Sequence, residues 1–324
     1  MRSAYSSLLL AFAMALSLCA LAQSPPASQA ESPLVGPDSA AVIKPRIGEE
    51  TNVFSTRVRE VNVLFSASNW RGHFVSNLTP SDVRVLDNGQ EPQALTYFLK
   101  QADLPLRIGI LIDVSGSVGH FFRAQQQAAL IFLQQTLRPS DSASLIAFAD
   151  RPRTIQDLTS NLALLTDAVH RLKAGESMTA IYDAVKISCD KLSADAEMGL
   201  NRRVLILITD GEDNLSHTTL EKAIDAALQS EVVVFALNTS MSPSTTDPLL
   251  RKLTENTGGT VLHADGARQL KAAFRKVNEQ LRNQYLLGYK PPQWQADHSF
   301  HKISLSTNRF GLRVRCRKGY YAVE

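Results

Sequence analysis

Cysteine is scarce, with three in 324 residues and no Cys-x-x-Cys pair. A disulfide framework and a thiolate zinc site are therefore excluded, and the core must hold itself together by apolar burial. Dense charge of one sign is absent too. The 34 Lys and Arg nearly balance the 31 Asp and Glu, giving +3 without a basic block, which speaks against a dedicated nucleic-acid binder. Neither Gly-x-Gly-x-x-Gly nor Gly-x-x-x-x-Gly-Lys occurs, and with them go two common backbone cradles for nucleotide phosphates. What is present is core-forming material: 44% hydrophobic against 20% charged residues, enough for two domains or one large domain with a satellite.

Only one long apolar run exists, and it lies at the N-terminus. Arg2 precedes an uncharged stretch from about Leu8 to Leu21, which ends in Ala20-Leu21-Ala22, a small-x-small site. This predicts a secretory signal peptide over residues 1–22, too short for the roughly 20 apolar residues of a spanning helix. Leu18 before Cys19 is bulky where a lipobox needs a small residue, so lipidation is not expected. Residues 23–50, with Pro25, Pro26, Pro33, Pro37 and Pro45, read as a Pro/Ser/Ala-rich spacer. The mature chain is expected to be secreted or periplasmic and to have no membrane span. It keeps Cys189 and Cys316, which are expected to be free thiols.

The remaining sequence has two textures. Period-two alternation marks Val61, Val63 and Phe65, then Val83 and Val85, then Leu95, Tyr97 and Leu99. Asp87-Asn88-Gly89 between two of these runs predicts a hairpin turn. The same texture returns at Tyr285 to Tyr289, Lys302 to Ser306 and Leu312 to Cys316. Between them, near-continuous apolar runs (Leu106 to Ile112, Ser144 to Phe148, Val204 to Ile208, Val232 to Leu237) alternate with helical patterns near residues 121–137, 162–172, 180–192, 219–229 and 267–281. Such alternation implies an α/β fold with a doubly wound, mostly parallel, Rossmann-like sheet. The expected arrangement is an α/β domain over residues 105–283, inserted into a small antiparallel β-sandwich-like module made of residues 51–104 and 284–324.

Ligands of open α/β sheets bind at the carboxyl ends of the strands. There the first apolar run ends in Asp113-Val114-Ser115-Gly116-Ser117 and the third in Thr209-Asp210-Gly211, while Thr179 precedes a helical pattern. Two carboxylates (Asp113, Asp210) and three hydroxyls (Ser115, Ser117, Thr179) form an all-oxygen donor set. That set suits a hard cation, Mg²⁺ above all, with Mn²⁺ or Ca²⁺ as alternatives.

These residues resemble the metal-ion-dependent adhesion site of von Willebrand factor A domains: Asp113-x-Ser115-x-Ser117 after a strand, Thr179 before Tyr182-Asp183-Ala184, and Thr209-Asp210-Gly211 after another strand. The flanks, Leu78-Thr79-Pro80-Ser81-Asp82-Val83 through Asp87-Asn88-Gly89 and Tyr285-x-Leu287-Gly288-Tyr289 through Arg317-Lys318-Gly319-Tyr320, are similar to the exported bacterial VWFA-related, acidobacterial-type group. The resemblance implies metal ligation by Asp113, Ser115, Ser117, Thr179 and Asp210. It also implies a non-enzymatic adhesion or assembly role, in which a protein partner's Asp or Glu carboxylate completes the coordination. Many relatives have Gly-Gly-Thr where this chain has Ser177-Met178-Thr179, which implies a less compact middle loop.

Two other readings stand beside this one. Ser117, Asp210 and His263 follow the chain order of an α/β-hydrolase triad, but the elbow lacks its first Gly, no Gly-rich oxyanion loop precedes it, and Asp113 would crowd the nucleophile. Alternatively the β module itself docks to an envelope assembly and the metal site is structural. Glu212 and Asp213 read as solvated loop charges, and Arg313, Arg315 and Arg317 as the solvated face of an edge strand. The sequons at Asn77, Asn214 and Asn238 are assigned no role.

Overall fold

The computed structural model describes residues 60–100, 104–119, 121–175, 178–194, 201–240 and 247–322. The expected signal peptide and spacer lie outside the described residues. Six strands form the central sheet: β4 (Leu106–Asp113), β5 (Ser142–Phe148), β6 (Pro152–Thr159), β7 (Arg202–Thr209), β8 (Val232–Asn238) and β9 (Val261–His263). Their order is β6-β5-β4-β7-β8-β9, parallel throughout except for β6, which runs antiparallel to β5 at the edge.

Continuous apolar runs produce this sheet because both faces are covered. Helices α1 (Phe122–Thr136), α2 (Leu162–Arg171) and α6 (Ala267–Arg282) share one core with Ile108, Ile110 and Ile112 of β4. Helices α3 (Ile181–Ser193), α4 (Leu220–Gln229) and α5 (Asp247–Thr257) pack on the other face against Leu111, Leu205 and Leu207. Each fully buried Leu or Ile contributes about 1.5–3 kcal/mol. Gly109 lets α3 come close, since a Cβ there would stand 2.9 Å from Leu205 Cδ1 and 3.2 Å from Leu192 Cδ1.

The sequence reading missed two strands of this sheet and one of its helices. The β6 strand begins with Pro152 and has no sustained apolar alternation, α5 begins at Asp247-Pro248, and β9 has only three residues.

The period-two segments form two antiparallel sheets. Strands β1 (Val61–Asn69), β3 (Ala94–Lys100), β10 (Gln284–Lys290) and β12 (Leu312–Cys316) assemble in the order β12-β1-β10-β3. Strands β2 (Val83–Asp87), β11 (Phe300–Thr307) and β13 (Gly319–Tyr321) assemble in the order β13-β11-β2. Both sheets mix strands from before and after the α/β region, as in Val63↔Leu287 and Val85↔Leu305. Their apolar faces share one core, in which the Phe65 and Tyr285 rings stack at 5.1 Å.

The expected hairpin at Asp87-Asn88-Gly89 needs correction. The turn itself forms: Asn88 and Gly89 have φ of 48° and 81°, and Asp87 and Gln90 exchange two backbone hydrogen bonds of 2.9 Å. However, β2 pairs with β11 and β3 pairs with β10 in the other sheet. Pro92, which lacks an N–H, interrupts any ladder continuing from the turn.

Asp87 is fully buried between the two sheets. Tyr289 and Tyr320 donate their hydroxyls to its Oδ2 at 2.9 and 2.8 Å, and His301 Nδ1 stands 3.0 Å from its Oδ1. Burial pushes both phenols well above their ordinary pKa.

Cys189 and Cys316 are free, and burial pushes both thiols up, Cys316 to about 11. The expectation of a solvated arginine face on β12 holds only in part. The strand lies at a sheet edge. Arg315, however, donates to Gly259 O at 2.6 Å, and Arg317 donates to Asn62 O at 2.6 Å and pairs with Glu231 at 3.1 Å. These two side chains reach back to the rest of the fold, although Arg315, like Arg313, stays exposed as a residue.

Candidate functional site

Strand β4 is buried along its whole length and delivers Asp113, with 0% exposure, to the carboxyl rim of the sheet. Ser115 N donates to Asp113 Oδ1 at 2.9 Å, and Thr209 Oγ1 at the end of β7 donates to Oδ2 at 2.7 Å. Thr209 Oγ1 also accepts from Gly211 N at 3.0 Å. Burial pushes the Asp113 carboxyl up to about 6; the bonds from Ser115 and Thr209 oppose the shift, and the neighbouring Asp210 charge adds to it. A short 3₁₀ turn, Gly116–Val118, follows, pinned by buried Val118. It brings Ser117 Oγ to 3.1 Å from Ser115 Oγ, with Ser115 buried and Ser117 exposed.

The middle loop is tied to both neighbours. Gly175 N donates to Val114 O at 2.7 Å, and Ala180 N to Ala149 O at 2.8 Å. Thr179, 3% exposed, donates its N–H to Asn214 Oδ1 at 2.9 Å, and its carbonyl accepts from Asn214 N and Leu215 N at 3.0 and 3.1 Å. Residues 176 and 177 lie outside the described residues, so the departure at Ser177 has no structural account; Met178 is exposed.

Three pairs of contacts thus close a triangle: the first loop to the third through Asp113 and Thr209, the first to the second through Val114 and Gly175, and the second to the third through Thr179 and Asn214. Asp210 sits half-buried at the third corner, its Oδ1 3.5 Å from Glu212 N.

The loop after β7 does more than carry Asp210. Asp213 Oδ1 accepts from Ile181 N at 2.7 Å, and Ser216 Oγ accepts from Tyr182 N and Asp183 N at 3.0 and 3.3 Å, which caps the first turn of α3. In return Asp183 accepts from His217 N and Thr218 N at 3.0 and 2.8 Å. Partial burial works against ionisation of Asp183, but the bonds from Thr218 and His217 outweigh it and hold its carboxyl below the usual range. Asp213 is therefore a helix cap rather than the solvated charge expected from sequence, while Glu212 is exposed as expected. Asn214, seen in the sequence only as part of a sequon, is the clamp on Thr179.

The hydrolase grouping does not assemble. His263 Nε2 pairs with Asp247 Oδ2 at 3.1 Å, on the strand beyond β8, while Ser117 Oγ has Ser115 Oγ as its neighbour. Among the described residues, no group of three or more His, Cys, Asp or Glu side chains is arranged to hold a metal. Any cation at the rim would rest on hydroxyls as much as on carboxylates.

Residues 108–212 match the von Willebrand factor type A domain family. No curated protein matches the chain significantly. Among solved structures, an aerotolerance-related membrane protein from Bacteroides fragilis shares 16% identity over 55% of this chain and 98% of that one, with a TM-score of 0.44. A von Willebrand factor type A protein from Catenulispora acidiphila shares 14% identity over 83% of this chain and 75% of that one, with a TM-score of 0.47. Proximal thread matrix protein 1 from the mussel byssus, solved with a zinc-occupied MIDAS motif, shares 16% identity over 61% of this chain and 50% of that one, with a TM-score of 0.45. With its family match spanning residues 108–212 and its six-stranded, helix-covered sheet, this chain carries a von Willebrand factor type A domain.

Proposed function

We propose that this chain binds a protein partner through a divalent cation held by Asp113, Ser115, Ser117, Thr179 and Asp210. The observation that supports this reading is the triangle of contacts tying together the three loops that carry these residues. The donor set fits a hard cation: every candidate ligand is oxygen, and Asp113 is a buried carboxylate that no cation pairs with among the described residues. Its donors, the Ser115 backbone and hydroxyl and the Thr209 hydroxyl, are all neutral, so no positive charge offsets the carboxylate. A bound Mg²⁺, Mn²⁺ or Ca²⁺ would supply an electrophilic position that a partner's Asp or Glu carboxylate can complete. No catalytic residue is assigned.

In this reading residues 105–283 are the binding domain, and residues 51–104 and 284–324 form the module that carries it. The export signal over residues 1–22 would place the site outside the cytoplasm. No described helix is long and apolar enough to cross a membrane.

Calorimetric titration of Mg²⁺ tests the site. Wild type is expected to bind and Asp113→Ala to lose at least about tenfold in affinity, which corresponds to about 1.4 kcal/mol. Equal binding by both would remove Asp113 from the site. A pull-down from envelope extract, run with Mg²⁺ and with chelator, then tests whether partner retention needs the cation.

A further inference from the structure

A groove of about 900 Å³ opens away from the rim, between the turn after β1, strands β11 and β12, and helix α6. Six cations line it: Arg71, Lys276, Lys302, Arg313, Arg315 and Lys318. None of them forms an ion pair among the described residues, and the carboxylates on the same wall are Glu255 and Glu279. Near-neutral overall charge thus conceals a local excess of positive charge, and side chains left unpaired around a concavity attract a polyanion.

The mouth of the groove carries Trp70, 72% exposed. A single exposed tryptophan means little by itself, but this one is held in place. Asn69 Oδ1 accepts from Arg71 N and His73 N at 3.0 Å each, Gly72 takes φ of 80°, and Val75 N returns to Ala67 O at 2.9 Å. The Arg71 guanidinium covers one ring face at 4.6 Å, which leaves the other face for a ligand. Between ring and cations, the wall offers short neutral groups, Ser66, Ser68, Asn69 and Ser304.

We infer that this groove binds an acidic polysaccharide. The apolar C–H face of a pyranose ring stacks on Trp70, hydroxyl groups of the sugar bond to the serines and Asn69, and carboxylate or sulfate substituents pair with Lys302, Arg313 and Lys318. This contact is separate from the proposed metal site and needs no cation.

Affinity electrophoresis and tryptophan fluorescence with polygalacturonate, dextran sulfate and neutral dextran test the inference, all with chelator present so that the metal site is silent. Either acidic glycan is expected to bind saturably and to weaken steeply with salt, dextran to leave mobility unchanged, and the responding polymer to identify the anionic group. Trp70→Ala is expected to abolish the emission change, and Lys302→Glu with Arg313→Glu to lower affinity by at least about tenfold. These side chains are exposed, so circular dichroism of each variant should match wild type. Failure of both acidic glycans to bind, equal binding of dextran, tighter binding of polyglutamate or single-stranded DNA, or undiminished affinity in the variants would each overturn it.

Discussion

Two aspartates, each closing a strand and each fully buried, are treated by this fold in opposite ways. Asp87 at the end of β2 receives two phenol hydroxyls and faces an imidazole, with donors drawn from β10, β13 and β11. Asp113 at the end of β4 is met by the Ser115 N–H and hydroxyl and by the Thr209 hydroxyl, and the nearby charge acting on it is another carboxylate. The first site is completed by the chain itself. The second is left electrostatically incomplete, which stabilises nothing unless something from outside completes it. Burial and position are the same in the two cases, so the partners alone separate a carboxylate that the chain completes from one that, under the proposed function, a bound cation would complete.

The largest effect should come from the completed site. Asp87→Ala strands three buried polar groups at the junction of the two antiparallel sheets, and should cost about 3–5 kcal/mol of unfolding free energy in urea, with or without divalent cation. A cost below about 1 kcal/mol would show that the two aspartates do not differ as argued. For Asp113 the first expectation is a gain on adding metal. Mg²⁺ at about one hundred times its dissociation constant should stabilise wild type by about 2.7 kcal/mol, and chelator should remove that gain.

Asp113→Asn should then sharpen the contrast. The raised pKa means that the folded state binds the proton more tightly than the unfolded chain does. Asp113 therefore favours folding below an unfolded value of about 3.9, and that contribution is lost as pH rises through about 6. In chelator at pH 7.5, Asp113→Asn should be more stable than wild type by on the order of 1–2 kcal/mol. The gap should narrow to about a third at pH 4.5, closing only below the unfolded value of about 3.9, and the variant should gain nothing from Mg²⁺. Denaturant melts at the two pH values check the sign. A variant less stable than wild type at pH 7.5 would show that the ionised carboxylate is already satisfied.

How far the sequence revealed this contrast depends on the kind of signal. The four inner strands of the α/β sheet, β5, β4, β7 and β8, were legible because buried strands read as unbroken apolar runs, and five of its helices because they carry a clear period. Four of the five candidate ligands, Asp113, Ser115, Ser117 and Asp210, were picked out because they close or directly follow strands, and Thr179 because it precedes α3; their role as ligands belongs to the proposed function. The elements that hold those residues were not legible. Thr209, Asp213, Asn214 and Ser216 act through hydrogen bonds to residues some thirty to one hundred positions away, and in sequence they look like ordinary loop chemistry. Asp87 was legible only as a turn. Its tyrosine partners lie more than two hundred residues further on, and no local pattern reports a contact that forms only after the intervening region has folded. The hairpin expectation failed for the same reason: a turn fixes local geometry, and the choice of strand partner is made by the whole sheet.

The smallest effect tests whether the β-module strands and the α/β core act as one cooperative unit. Tyr321, on β13, donates its hydroxyl to Asp225 Oδ1 of α4 at 2.5 Å. Burial, the bond to Asp225 and its charge together push the phenol up to about 12. The hydrogen bond is partly exposed, so removing it in Tyr321→Phe should cost about 1 kcal/mol or less, far below the cost at Asp87. Its value lies in the shape of the transition. If the two parts unfold together, Tyr321→Phe lowers the urea midpoint and leaves a single transition monitored by fluorescence and circular dichroism alike. If the transition splits, the β module and the α/β domain are separately stable, and the cost at Asp87 should then fall on the β-module transition alone, while the Mg²⁺ gain at Asp113 falls on the other.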